Sequence, residues 1–300
     1  MNIDLVILGT VGLDDVETPF GKVKGVLGGS AVYAATAASF FSKSGVVSIA
    51  GHDLPKQYLQ FFKERKIDID GIEFKGKTFR WQGLYEFDMN EAKTIKTELN
   101  SLSEFEAKVP DRYLDAKFLF LANTDPVLQM KTLSKMRNKP FVVLDTMNYW
   151  ITSQKADLLK VIKKVDLLVL NEGEARQLFD TPNLIKAGKQ ALALGVEYVI
   201  IKKGEHGALL FSSNDFFSAP SYPLEQVKDP TGAGDSFSGG LIGYLAKTDD
   251  TSEKNIRKAI IFGSCIASAC AESFSLDYVR KTNLKNIKER YHDFKEIRRF

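Results

Sequence analysis

Asp229-Pro230-Thr231-Gly232-Ala233-Gly234-Asp235-Ser236-Phe237 is the stretch that decides how this chain is read. Pro230 lacks an N–H and the glycines carry a high backbone entropy, so no regular element is predicted before about Gly232. After Asp235, Phe237, Leu241, Ile242 and Leu245 recur at helical spacing, and Gly239, Gly240 and Gly243 among them permit close helix packing. A small-residue loop therefore opens a helix over 232–245. Helix N-termini present free N–H groups and partial positive charge, which suits an anion. Gly232, Ala233 and Gly234 put no bulky side chain in the way of one. Asp235 falls in the first turn. A carboxylate there repels phosphate but can accept the proton of an attacking hydroxyl. Phosphoryl transfer needs both parts, donors for the transferred oxygens and a group that handles the nucleophile. Taken alone, the same Asp is equally compatible with a helix N-cap. No Gly-Lys-Ser/Thr follows the glycines, so this is not a P-loop.

Outward from that stretch, strand-like and helix-like runs alternate. Residues 5–8, 46–50, 118–121, 141–144, 167–170, 198–201 and 208–211 read as short apolar strands. Residues 31–41, 56–66 and 187–194 read as helices. The alternation predicts an α/β fold with a doubly wound, mostly parallel sheet flanked by helices, one domain over 1–300. Ligands of such sheets lie beyond the carboxyl ends of the strands. The loops 9–15, 123–126, 145–150, 171–174 and 202–207 are therefore where chemistry is expected. Residues 76–99 break the rule: Phe79, Trp81, Leu84, Tyr85 and Phe87 mix with polar residues at period two. With 12–25 they predict a small β-sheet lid, whose aromatic face would cover a pocket, pack on itself or pair with a second copy in a homodimer.

The bulk properties exclude several classes. Formal net charge is +3 over 300 residues, without the clustered basic face of a nucleic-acid binder. Residues 63–66 and the basic tail read as solvated surface. Met1 to Leu8 carries Asp4 and reads as a strand rather than a signal peptide, and no apolar run approaches a bilayer span. A cytoplasmic protein that engages no membrane is expected. Cys265 and Cys270 sit in an apolar small-residue segment and read as buried free thiols. His52, His206 and His292 do not cluster.

The motif at 229–237, followed by Gly239-Gly240, resembles the C-terminal signature of the ribokinase-like (PfkB-type) carbohydrate kinases. The resemblance covers nearly the whole chain: Gly28-Gly29-Ser30-Ala31 is similar to the family's di-glycine segment, Gly51-His52-Asp53 to its Gly-x-Asp element, Asn171-Glu172-Gly173-Glu174 to its Asn-x-x-Glu motif and Gly204-Glu205-His206-Gly207 to its nucleotide-side loop. It implies a kinase that moves a phosphoryl group from ATP, with Mg²⁺, to a hydroxyl of a small molecule. Asp235 would be the general base, and the backbone of Gly232, Ala233 and Gly234 the anion hole. Asn171 and Glu174 would serve phosphate and magnesium, with Glu174 acting directly or through water. Lys202 and Gly204 would meet the nucleotide phosphates, and Asp229 and Thr231 a monovalent cation such as K⁺. The di-glycine Gly28 and Gly29 would line the acceptor, whose hydroxyls an early Asp holds. Asp14 aligns there better than Asp15.

The departures fall on the acceptor side. Tyr33 stands where many sugar kinases carry an Asn, and an aromatic group there would change the pocket floor. The family's Asp-x-Asn-x-Arg element appears as Asp145-Thr146-Met147-Asn148-Tyr149-Trp150, with a shifted Asn and no Arg. The acceptor is expected to be a sugar or sugar-like molecule, with a nucleoside as the alternative. Phe79, Trp81, Tyr85 and Tyr33 offer flat faces for either. A ligand-binding protein that keeps the fold without turnover is the remaining reading.

Overall fold

The computed structural model describes residues 3–213, 215–297 and 299, without the side chains of 278 and 281. Met1, Asn2 and part of the basic tail thus lie outside the described residues. Thirteen strands form two sheets. The large one contains β1 (Leu5–Leu8), β4 (Ser44–Ala50), β5 (Asp68–Phe74), β8 (Phe118–Leu121), β9 (Phe141–Leu144), β10 (Leu167–Asn171), β11 (Tyr198–Lys202), β12 (Ala208–Phe211) and β13 (Phe216–Ala219). Its order is β13-β12-β11-β10-β9-β8-β1-β4-β5. All pairs from β5 to β11 are parallel, and β12 and β13 add an antiparallel edge.

The short apolar strands follow from burial on both faces. In β1, Leu5 and Ile7 join the core under helices Ser30–Ala38, Ala233–Thr248 and Glu253–Ala271, while Val6 and Leu8 join the core on the other side. Chain order reverses between β1 and β8, so their carboxyl ends open a crevice at the switch point. A Cβ at Gly239 would lie 2.2 Å from the Ala34 carbonyl oxygen, which is why helix Ala233–Thr248 can settle so closely on Ser30–Ala38. Among the described residues no helix is long and apolar enough to cross a membrane.

The predicted lid exists as a separate sheet of β2 (Gly12–Thr18), β3 (Gly21–Gly28), β6 (Phe79–Tyr85) and β7 (Ala92–Glu98), in the order β3-β2-β6-β7. Its first hairpin runs to Gly28, three residues beyond the expected 12–25, so β3 leads through Gly29 directly into helix Ser30–Ala38. Strands β5 and β13 are absent from the expectations: Asp-Ile-Asp-Gly-Ile-Glu-Phe is too polar for the apolar-run criterion, and Phe-Phe-Ser-Ala is an edge strand whose apolar run is broken by Ser218. The turn between β6 and β7 reaches the loop after β11, where a Cβ at Gly204 would lie 3.3 Å from Asn90 Oδ1. The lid therefore spans the mouth of the main sheet from the β1 end to the β11 end.

Candidate active site

The loop before helix Ala233–Thr248 is built as its residues demand. Gly232 is the N-cap, with φ 72°, a left-handed conformation that glycine adopts without strain. A side chain there would also strike the Tyr33 ring, 2.3 Å from the Cβ position. The N–H of Ala233 donates to the Pro230 carbonyl oxygen, and that of Ser236 to Gly232. The N–H groups of Gly232, Gly234 and Asp235 meet no acceptor among the described residues. Of the three N–H groups expected to form an anion hole, that of Ala233 is engaged, whereas that of Asp235 is unpaired among the described residues.

Asp235 is not the N-cap, and its carboxylate makes no hydrogen bond with a described residue. The cap reading therefore has no support. Half-buried by area but surrounded by protein, the carboxyl is pushed up to about 7 by burial and then by the charge of Asp145, with Lys202 opposing.

Lys202, at the end of β11, points across to this loop. Its Nζ lies 3.0 Å from Asp145 Oδ2 and 3.1 Å from where a Gly234 Cβ would stand. Burial alone would lower its pKa, but Asp145, Glu174 and Asp235 hold it above the ordinary lysine value. Asp145, at the end of β9, also accepts from Ser238 Oγ at 3.0 Å. Asn171 and Glu174 form a capping box at helix Glu172–Phe179: Asn171 N–H donates to Glu174 Oε2 (2.7 Å), and Glu174 N–H to Asn171 Oδ1 (2.8 Å). Both have a local structural role, yet Glu174 is buried and pushed up to about 8, chiefly by burial. Three enclosed carboxylates, Asp145, Glu174 and Asp235, face the single ammonium of Lys202. Among the described residues no three acids cluster as a metal cage, but a divalent cation with oxygen ligands would relieve the repulsion that raises Glu174 and Asp235.

The second half of the site comes from the lid. The pleat separates the neighbouring acids: Asp15 turns outward and accepts from the Gly25 N–H at 2.7 Å, bracing a bulge, whereas Asp14 is buried against the di-glycine. A Cβ at Gly28 would lie 1.8 Å from Asp14 Oδ2. Gly28 must be glycine for Asp14 to stand there. Burial, with Asp229 and Asp235 next, pushes the Asp14 carboxyl up to about 8. Gly29 has φ 99° and a Cβ position 2.5 Å from the Thr10 carbonyl oxygen.

Tyr33 departs from expectation. It is 1% exposed, wedged against Gly232, and is no open pocket floor. Its hydroxyl has no hydrogen-bond partner among the described residues, and Asp14, Asp229, Tyr85 and Cys270 surround it. Asp229 accepts from the N–H groups of Thr231 (2.9 Å) and Ser275 (3.1 Å), and Thr231 Oγ1 donates to Tyr85 Oη (3.3 Å), tying the lid to the loop. Trp81 pairs beside Asp14 on the neighbouring strand, with its ring over Gly83 and its indole N–H donating to Thr94. Arg80 points to the other face and pairs with Asp53 at 3.6 Å.

The structure thus gathers Asp14, Gly28, Gly29, Tyr33, Asp229, Thr231, Gly232, Gly234 and Asp235 at one mouth, with Lys202, Asn171 and Glu174 adjoining. Gly204, in a short turn with φ 54°, lies farther along, under the lid tip. Sequence reasoning placed Asp145 in an expected site loop without giving it a role, and missed Ser238. A signal existed for Asp145, which follows a buried strand at the carboxyl end of the sheet.

The family profile of the pfkB family carbohydrate kinases matches residues 2–282. The chain belongs to the pfkB family of carbohydrate kinases. It is a small-molecule kinase of the family's sugar and nucleoside group. It is 32% identical to a cytidine kinase of Thermococcus kodakarensis over 251 residues, 81% of this chain and 88% of that one. The nucleoside kinase of Methanocaldococcus jannaschii, an archaeal member of the ribokinase family, matches the structure with a TM-score of 0.78 at 19% identity, covering 97% of this chain and 99% of that one. A putative ribokinase II from E. coli, solved in complex with ATP and Mg²⁺, matches with a TM-score of 0.80 at 19% identity, covering 97% and 99%. At such identities the structures establish the ribokinase-like fold.

Proposed function

We propose that this kinase transfers the terminal phosphoryl group of ATP to the primary hydroxyl of a nucleoside, with Asp235 as the general base. The observation that carries the chemistry is a carboxylate in the first turn of a helix, without a protein hydrogen bond, beside three free N–H groups and a buried ammonium. Such a group is poised to receive a proton near neutral pH. The nucleoside reading is supported by the likeness to a cytidine kinase over most of both chains.

In this mechanism Asp14 accepts hydrogen bonds from the sugar hydroxyls. Trp81, next to it on the lid, offers an apolar face to the acceptor. Asp235 orients the primary hydroxyl and takes its proton as the oxygen attacks in line. The N–H groups of Gly232, Gly234 and Asp235, with Lys202 Nζ, stabilise charge on the transferred oxygens. The lid keeps water from competing. Glu174, through the carboxylate oxygen opposite its capping bond, and Asn171 would hold Mg²⁺ by way of water, and when bound it would supply positive charge against the phosphate oxygens. Asp229 has no ammonium or guanidinium partner among the described residues, and the orphaned Tyr33 hydroxyl adjoins it. These groups fit a monovalent cation such as K⁺ held by Asp229 beside Thr231. ADP release measured with ATP, Mg²⁺ and a panel of cytidine, uridine, adenosine, inosine, ribose and fructose tests the reading. Turnover on nucleosides well above free sugars is expected, and turnover on sugars alone overturns the acceptor assignment.

A further inference from the structure

At the switch point between β1 and β8, hydrogen bonds tie the backbone of Asn123 to Ser30, and Ser30 to Thr10, while the segment after β9 fixes the Asn123 side-chain amide. Asn123 follows β8 directly, and its carbonyl oxygen accepts from Ser30 Oγ (3.0 Å), the first helical residue after the di-glycine. Ser30 Oγ also accepts from the Thr10 N–H (3.0 Å) after β1. From the short helix Asn148–Ser153 after β9, Trp150 Nε1 donates to Asn123 Oδ1 at 2.8 Å. An indole N–H is a donor only, so the amide atom facing it must be the oxygen. The Asn123 NH₂ group is thereby fixed in the opposite direction, where its one partner among the described residues is the Met147 thioether at 3.1 Å, a weak acceptor. Two strong N–H donors are thus held in place at the crevice with poor use for them. Asp14 stands against Gly28, two residues before Ser30, and two residues of backbone span at most about 7 Å. Ser30 thus links the Asp14 side of the crevice to Asn123.

We propose that Asn123 reads the base of the acceptor by donating its amide N–H to an unprotonated ring nitrogen, with Trp150 as the residue that positions it. This rests on the nucleoside reading above. The chemical class that follows is the amino-substituted heterocycle. Cytosine offers N3 as an acceptor where uracil carries N3–H, and adenine offers N1 where hypoxanthine carries N1–H. A donor fixed by Trp150 cannot turn over to greet an N–H, so the oxo-bases leave two donors facing each other. A polar group left unpaired in this way discriminates by about 10- to 100-fold.

The test compares kcat/KM for cytidine against uridine and for adenosine against inosine, with ATP and Mg²⁺, in wild type, Asn123→Asp and Trp150→Phe. Wild type is expected to favour the amino-base of each pair by about 10-fold or more. Asn123→Asp replaces the donor with an acceptor, so both ratios should collapse toward one or invert while the KM for ATP stays within about twofold. Trp150→Phe frees the amide to rotate and should lower both ratios severalfold without moving the KM for ATP. An unchanged KM for ATP and melting temperature certify that each variant is folded. Nucleoside turnover with ratios that neither variant moves would overturn the role of Asn123 alone. Turnover on sugars but no nucleoside would overturn the acceptor reading beneath it.

Discussion

Replacing Lys202 with Met should move the pH dependence of the reaction upward, because its ammonium is the one positive side chain among the described residues that acts on Asp235. The Asp235 carboxyl titrates near 7, so kcat/KM for ATP should rise tenfold per pH step below that point and level off above it. At an effective dielectric of about 20 and a separation of roughly 5 Å, the lost attraction is ~3 kcal/mol, or about two pH steps. Water entering the vacated space halves such an interaction, leaving an acid limb displaced upward by roughly one to two pH steps. At pH 7 the variant would hold only a few per cent of Asp235 ionised, against about half in wild type. Lys202→Arg preserves the charge and should keep the limb near 7 even where misplacement slows the plateau. Asp145→Asn removes the charge that pushes Asp235 up and should move the limb down. The assay is initial-rate ADP release from pH 5.5 to 9.5 in constant ionic strength. A limb fixed at 7 in Lys202→Met, or displaced equally in Lys202→Arg, would refute the electrostatic coupling.

Gly28→Ala places a methyl 1.8 Å from Asp14 Oδ2, so the carboxylate must leave; the acceptor KM should rise about tenfold or more, the KM for ATP should hold, and ~1–3 kcal/mol of stability should be lost in chemical denaturation. Asp14 has a folded pKa of about 8 against an unfolded value near 3.8, so it contributes stability that is fully present below about pH 4 and lost as pH rises through about 8. Thermal melts of Asp14→Asn without ligands should therefore match wild type at about pH 4 and run increasingly above it as pH rises towards 8, by a few °C or more at pH 8. Exchange of K⁺ for tetramethylammonium should lower kcat/KM severalfold in the acceptor assay; an unaltered rate would make Asp229 a pin for the loop and nothing more.

Much of this site was legible because its chemistry is local. Gly232, Gly234 and Asp235 sit in one loop, and Asn171 with Glu174 in one helical turn, so spacing carried the reading. The lid was legible from the period of Phe79, Trp81 and Tyr85. What escaped depends on distance along the chain. Asp145 gains its role from Lys202, 57 residues on, and from Ser238, 93 residues on. No window of sequence contains that triangle. Tyr33 was read by residue type as an open face, but its position on helix Ser30–Ala38 presses the ring onto Gly232. Asp14 and Asp15 could not be separated until the bulge at Gly25 fixed which one faces inward.

Asp235→Asn tests the central claim most directly, since it keeps the shape of the side chain and removes its capacity to take a proton. With nucleoside acceptor, ATP and Mg²⁺, kcat should fall by about 10²- to 10⁴-fold, while the ATP dissociation constant measured by titration calorimetry stays within a few-fold of wild type. Turnover by the Asp235→Asn enzyme within about tenfold of wild type would contradict the assignment of Asp235 as the base.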